Sequence, residues 1–214
     1  HNSNHAAQPI HDEVKSSSTN QAPPYKADRL RRTGDQWSPL QIKIMKNILE
    51  FLEQTASRYP EKTAFADEEC SLSFEKLLSM ARAGGSMLAG MGLKNEPVAV
   101  FMKKSPATLC AYLGVIYSGS CYVPLEMGMP LHRIRMILGK LMPEAIICDE
   151  SSEETAKSLG YGDVIIKAEE FFAEEPDEKA LSEVRAKSID TDPISIVFTS
   201  GSTGNPKGVT ACHR

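Results

Sequence analysis

Residues Ile194 to Gly208 read ISIVFTSGSTGNPKG, and the two halves of this stretch make different structural demands. Ile194, Ile196, Val197 and Phe198 form a short apolar run rich in β-branched and aromatic residues behind Asp192 and Pro193, which predicts a buried strand. Thr199 to Gly208 then brings four hydroxyls, three glycines, Asn205, Pro206 and Lys207 into ten residues. That composition predicts a loop with chemistry in it, and neither a helix nor a packed strand. Gly201, Gly204 and Gly208 permit positive φ and close backbone approach, so that successive N–H groups can turn toward one anion. Thr199, Ser200, Ser202 and Thr203 add hydroxyl donors, and Lys207 adds the single cation. An ion pair at about 4 Å is worth roughly 4 kcal/mol at an effective dielectric of about 20, so the lysine outweighs any one hydroxyl in holding a phosphate.

Counting excludes two common nucleotide motifs. G-x-x-x-x-G-K-[ST] built on Lys207 needs glycine at 206 and a hydroxyl at 208, where the chain has Pro206 and Gly208. G-x-G-x-x-G starting at Gly201 needs glycine at 203, which is Thr203. On composition alone, a polar surface loop or a flexible Gly/Ser linker fits the stretch as well as a phosphate loop does.

Upstream, apolar patterns alternate between the two periods. Strands are expected at Thr63–Ala66 with a short Ser71–Ser73 extension, and at Pro97–Met102, Cys121–Val123, Ala145–Cys148 and Val164–Ile166, with Ile194–Phe198 last. Met45, Ile48, Leu49, Leu52 and Ala56 predict a first helix ending before Tyr59-Pro60. A second helix carries Phe74, Leu77, Leu78, Ala81 and Leu88, stops at Gly90 and Gly92, and holds Gly84 and Gly85 as marks of a close helix contact. Ser105 is an N-cap before Pro106, with Leu109, Tyr112, Leu113 and Ile116 on one face of the third helix. Pro130 opens a fourth, with Leu131, Ile134, Leu138 and Leu141. The acidic stretch Glu169 to Glu178 reads as a solvated helix face and connection, and the methionines, among them Met80, Met87, Met91, Met102, Met136 and Met142, as core filling. Such alternation predicts an α/β fold of mostly parallel sheets with flanking helices. In open α/β sheets ligands sit beyond the carboxyl ends of the strands, which is where Thr199 follows Phe198.

Thr199 to Gly208, with His213 and Arg214 after it, resembles the phosphate-loop signature of the adenylate-forming (acyl-activating) superfamily. It is similar in particular to the amino-acid adenylation domains of nonribosomal peptide synthetases and to stand-alone D-alanine carrier-protein ligases. LSFEKL at Leu72–Leu77 and LGVIYSGSCYVPL at Leu113–Leu125 resemble two earlier motifs of that superfamily, in its order, so the likeness covers about Ile48 to Arg214. The chain departs from the pattern at Glu126, where aspartate is usual, and at Ser118-Gly119, where Ala-Gly is usual.

The resemblance implies the N-terminal part of the adenylate-forming fold, incomplete and cut just after the phosphate loop. It implies ATP-dependent activation of a carboxylic acid, an amino acid, as an acyl-adenylate with release of pyrophosphate, then transfer to a carrier-protein phosphopantetheine thiol. Thr199, Ser200, Gly201, Ser202, Thr203 and Gly204 would wrap the ATP phosphates, Lys207 would offset their charge, and Mg²⁺ would bridge the oxygens. The family's ribose-binding aspartate, hinge and C-terminal lysine would lie beyond Arg214, so no catalytic residue is assigned and the 214-residue fragment is expected to be inactive alone. An acyl-CoA ligase of the same superfamily, and an inactive truncated fragment or interaction module, are the alternatives.

A net charge of −4 with dispersed Lys and Arg provides no basic stripe for nucleic acid. No apolar run approaches the roughly 20 residues of a membrane span and no signal pattern opens the chain, so a cytoplasmic protein is expected. Five scattered cysteines argue against a disulfide framework or zinc site, and Cys212 beside His213 lacks the third partner of a nucleophilic triad. Residues 1–44, polar and rich in proline and serine, are expected to be a disordered extension or linker, with 45–214 the AMP-binding part. His1, His5 and His11 in that tail lack the partners of a metal site.

Overall fold

In the computed structural model, which describes residues 47–200 and 205–214, helix and strand alternate from Leu49 onward. The expectations placed on residues 1–46 and on 201–204 lie outside the described residues. Helix α1 (Leu49–Arg58) buries Leu49 and Ala56 and ends ahead of Tyr59-Pro60, because the residue before a proline is pushed out of the helical region. β1 (Thr63–Ala66) and β2 (Ser71–Ser73) pair antiparallel as a small sheet of their own. α2 (Phe74–Gly90) starts at once from Ser73, whose hydroxyl accepts the Lys76 N–H at 3.2 Å.

Then β3 (Pro97–Phe101), α3 (Pro106–Tyr117), β4 (Cys121–Leu125), α4 (Leu131–Leu141) and β5 (Ala145–Cys148) form two strand–helix–strand units with parallel pairing. α5 (Glu150–Ser158), a 3-10 turn at Gly162–Val164, β6 (Ile165–Lys167), α6 (Ala168–Phe171) and α7 (Glu178–Ala186) lead to β7 (Pro193–Ser200) and β8 (Pro206–Cys212). The main sheet has the order β6-β5-β3-β4-β7-β8, parallel except for the last pair.

Both faces of this sheet are covered, which is why its central strands are apolar at successive positions. Val98, Val100 and Met102 of β3 and its extension face α2, α3 and α6, while Ala99 and Phe101 face α4 and α5. Ala145 and Ile147 against Ile146 and Cys148 repeat the alternation on β5. α1 and α7 close a third cluster with Leu49, Ala81, Tyr117 and Leu181. Among the described residues no helix is long and apolar enough to cross a membrane.

Several expectations change in detail. α5 and α7 are helices that the apolar pattern missed, since each buries little apolar surface and is set by its cap: Asp149 accepts the Ser152 N–H, and Asp177 accepts those of Lys179 and Ala180. Of the acidic stretch, Glu169–Phe171 falls in α6, where Phe171 is a core residue, and Glu178 begins α7. α3 buries Cys110, Ala111, Gly114 and Val115 fully and leaves Leu109, Tyr112 and Leu113 half-buried, because it packs against both the sheet and α2. Ser105 stands at the cap position without making a side-chain cap bond. Met102 lies in the core, but Met91 and Met142 are 52% and 75% exposed and fill nothing. Gly84 and Gly85 do mark a close contact: a Cβ at Gly85 would stand 2.4 Å from the Tyr117 Cβ of α3.

Candidate functional site: the β7–β8 hairpin

The predicted loop Thr199–Gly208 is for the most part a β-hairpin. β7 runs on to Ser200 and β8 begins at Pro206, with Thr199 opposite Lys207 and Ser200 opposite Pro206, which leaves only residues 201–205 between the two strands. The composition misled because a ladder is built from main-chain groups that every residue type but proline supplies in full. Pro206 is tolerated at the first residue of an edge strand. Gly208 is corrected as well: it is not a positive-φ residue. A Cβ there would meet Ile196 Cγ2 at 2.9 Å, so this glycine serves the packing of β8 over β7.

Directly paired residues share a face of the sheet, so Thr199 and Lys207 stand side by side and exposed, next to the exposed pair Val197 and Val209. The Thr199 hydroxyl donates to the Lys207 carbonyl at 3.4 Å. Among the described residues no carboxylate pairs with the Lys207 ammonium. The structure thus brings together two of the seven predicted phosphate ligands, Thr199 and Lys207, and places Ser200 at the end of β7. Gly201, Ser202, Thr203 and Gly204 lie outside the described residues. The opposite face of the hairpin, carrying Ile196 and Phe198, packs on α4.

The strand order adds a feature the sequence did not reveal. β3 leads to β4 on one side and β5 lies on the other, so the sheet's switch point falls between β3 and β5, where open α/β folds commonly bind ligands. That crevice, about 320 Å³, is lined by Lys103, Asp149, Glu150, Ser151 and Glu169. Asp149 accepts from the Lys103 N–H at 2.7 Å, the Ser151 hydroxyl at 2.6 Å and the Ser152 N–H at 3.1 Å. Burial pushes the Asp149 carboxyl up, but the hydrogen bonds outweigh it and hold the carboxyl below the ordinary aspartate range. The D-x-x-S spacing of Asp149 and Ser152 was the available signal.

Other candidates are spoken for. A cavity of about 500 Å³ between α1, α2 and α7 has no hairpin residue in its lining, and charges in it pair internally: Glu53 accepts from Tyr117 and Arg185, and Arg82 binds Glu178. Burial pushes the Cys110 and Cys148 thiols up to about 12 and about 11, so neither offers a thiolate near neutral pH. His213 Nδ1 accepts the Ile48 N–H at 3.2 Å, tying the chain end to the start of α1, and Cys212 contacts the Arg214 carbonyl. No cluster of His, Cys, Asp or Glu able to hold a metal occurs among the described residues.

The fold is shared with solved structures of the N-terminal subdomain class. The Klebsiella oxytoca NpsA N-terminal subdomain superposes with a TM-score of 0.65 at 20% identity, covering 79% of this chain and 42% of that one. Residues 52–214 match the family described as AMP-binding enzyme, and the chain belongs to that family. Relatives include the D-alanine--D-alanyl carrier protein ligase of Listeria monocytogenes, 34% identical over 76% of this chain and 32% of the relative. Tyrocidine synthase 1 of Brevibacillus parabrevis is 29% identical over 79% of this chain and 15% of its own length. The chain therefore spans a third or less of these relatives, and the resemblance drawn from Leu72–Leu77, Leu113–Leu125 and Thr199–Gly208 is borne out.

Proposed function

We propose that this chain supplies the triphosphate-binding part of an AMP-forming ligase that activates an amino acid and hands it to the phosphopantetheine thiol of a carrier protein. The observation that carries the reading is the juxtaposition of Thr199 and Lys207 on one exposed face at the carboxyl end of β7. Relatives that are carrier protein ligases and peptide synthases favour an amino acid over a fatty acid.

In this reading the acid's carboxylate oxygen attacks the α-phosphorus, the bond to the β-phosphate oxygen breaks, and pyrophosphate leaves with the electron pair. Lys207 meets the charge that grows on the leaving group, while Thr199 and Ser200, with the turn residues Gly201, Ser202, Thr203 and Gly204, hold it in line. A hydrated Mg²⁺ fits this donor set, since it takes its ligands chiefly from phosphate oxygens and water and needs no acidic cage; when bound it neutralises phosphate charge.

The test has two parts. ATP binding to the chain, measured by calorimetry, is expected to weaken about tenfold or more in Lys207→Ala, the loss of one ion pair to a phosphate. Amino-acid-dependent ATP–pyrophosphate exchange by the protein that contains this chain is expected for one amino acid of a panel, followed by loading of a carrier protein and not of free CoA. The 214 residues alone are expected to give no exchange. Unchanged ATP affinity in Lys207→Ala removes the phosphate assignment, and CoA loading converts the reading to an acyl-CoA ligase.

A further inference from the structure

We propose that Lys140 and Arg133 are positioning residues for the phosphate loop, holding it through the two strands that carry it; this rests on reading Thr199 and Lys207 as part of a phosphate site. The two cations are seven positions apart on α4, which at about 100° per residue places them two turns apart on one face. That face meets the hairpin. The Lys140 ammonium donates to the Pro206 carbonyl at 2.8 Å, and the Arg133 guanidinium donates to the Phe198 carbonyl at 3.4 Å. The acceptors stand on opposite strands: Pro206 in the closing pair with Ser200, and Phe198 in the pair with Gly208.

One helix therefore holds the end of β7 and the start of β8 by main-chain oxygens. Charged donors make the stronger class of hydrogen bond, and among the described residues neither cation has a carboxylate competing for it. The helix is a fixed platform, because Ile134, Ile137 and Leu138 are fully buried in the cluster that Ile196 and Phe198 pack against. The approach is from the face opposite Lys207, so the two residues touch backbone and not ligand. What they set is the spacing and tilt of β7 and β8, and with it the aim of any N–H that leaves those strands. Small misplacements of such donors are costly to binding.

The experiment compares Lys140→Met, Lys140→Arg, Arg133→Met and Lys207→Ala in the 214-residue chain, reading amide hydrogen exchange at the β7 and β8 amides bonded across the ladder near Thr199 and Lys207 together with ATP binding by calorimetry. Lys140→Met keeps the stem and loses the donor. Its expected effects are exchange faster by about three- to tenfold at these amides and a comparable rise in the ATP dissociation constant, with little change in melting temperature. Lys140→Arg restores both, and Arg133→Met moves both in the same direction by less, in keeping with its longer bond. Unchanged exchange in Lys140→Met overturns the proposal. So does faster exchange with unchanged ATP affinity while Lys207→Ala binds weakly, and so does an equal loss in Lys140→Arg. Lys207→Ala binding ATP like the parent chain is a separate failure: it removes the phosphate site itself, whatever exchange shows.

Discussion

Replacing Gly85 by alanine sets two known effects against each other, and the structure decides which wins. Alanine is favoured over glycine within a helix by up to about 1 kcal/mol, largely because the unfolded chain loses freedom. Against this, the new Cβ would lie 2.4 Å from Tyr117 Cβ and 3.1 Å from the Gly114 carbonyl oxygen. Carbon atoms rest about 3.5–4.0 Å apart, so the contact is short by about 1 Å. A Cβ cannot swing away as the end of a long side chain can, and Tyr117 is further tied by its hydroxyl, which donates to Glu53 at 2.9 Å. α2 and α3 must therefore separate, and overpacking of this kind costs about 1–3 kcal/mol or more. The net expectation is a loss of about 1–2 kcal/mol, or a melting temperature lower by about 2–8 °C for a domain of this size.

Gly139 is the matched control. It lies in α4 with a negative φ and nothing within 4 Å of its added Cβ, so Gly139→Ala keeps the propensity gain and is expected to melt about 1–4 °C higher. Thermal and urea unfolding of both variants beside the parent chain measure the contrast. A Gly85→Ala protein at least as stable as the parent, or a Gly139→Ala protein less stable than Gly85→Ala, refutes the packing argument.

Asp149→Asn is expected to cost about 1–2 kcal/mol at neutral pH, through a weaker cap on α5 and weaker bonds to Lys103 and Ser151. Because the folded carboxyl titrates below its ordinary value of 3.8, its contribution is whole above that value and fades as pH falls through the folded pKa, so the gap between parent and variant narrows in acid-unfolding curves below about pH 4. A gap that widens in acid contradicts the assignment. Deleting residues 1–44 is expected to leave the melting temperature unchanged, since Asn47 and Ile48, which bind Ser188 and His213, are retained; a clear drop on differential scanning calorimetry counts against the linker reading.

Much of the architecture was legible because it rests on local signals. The apolar runs at Pro97–Phe101 and Ala145–Cys148 are buried on both faces, so their strand character shows without any partner being known. The Tyr59-Pro60 break and the Gly84-Gly85 contact likewise follow from what proline and glycine permit. α5 and α7 escaped notice because their stability comes from Asp149 and Asp177 at their caps and from one or two buried residues each, too few to make a stripe. In the site, the chemistry of Thr199 and Lys207 could be read from residue type, but their conformation could not. β8 is strand at its start because β7 is beside it, since Pro206, Lys207 and Gly208 carry no strong strand signal of their own.

Residue types and their order, then, determined by themselves that this is an alternating α/β chain of the AMP-binding enzyme family whose last parallel strand runs into a stretch rich in glycine and hydroxyls with one lysine. Only the tertiary structure decided that Thr199 and Lys207 stand opposite each other on paired antiparallel strands backed by α4, and that the Asp149 carboxylate beside the β3–β5 crevice is bonded to the Lys103 N–H. The reason is physical. Side-chain chemistry is written position by position, whereas strand order and main-chain pairing arise between segments as far apart as Tyr122 and Ser195, where the geometry of the assembled sheet selects the partner.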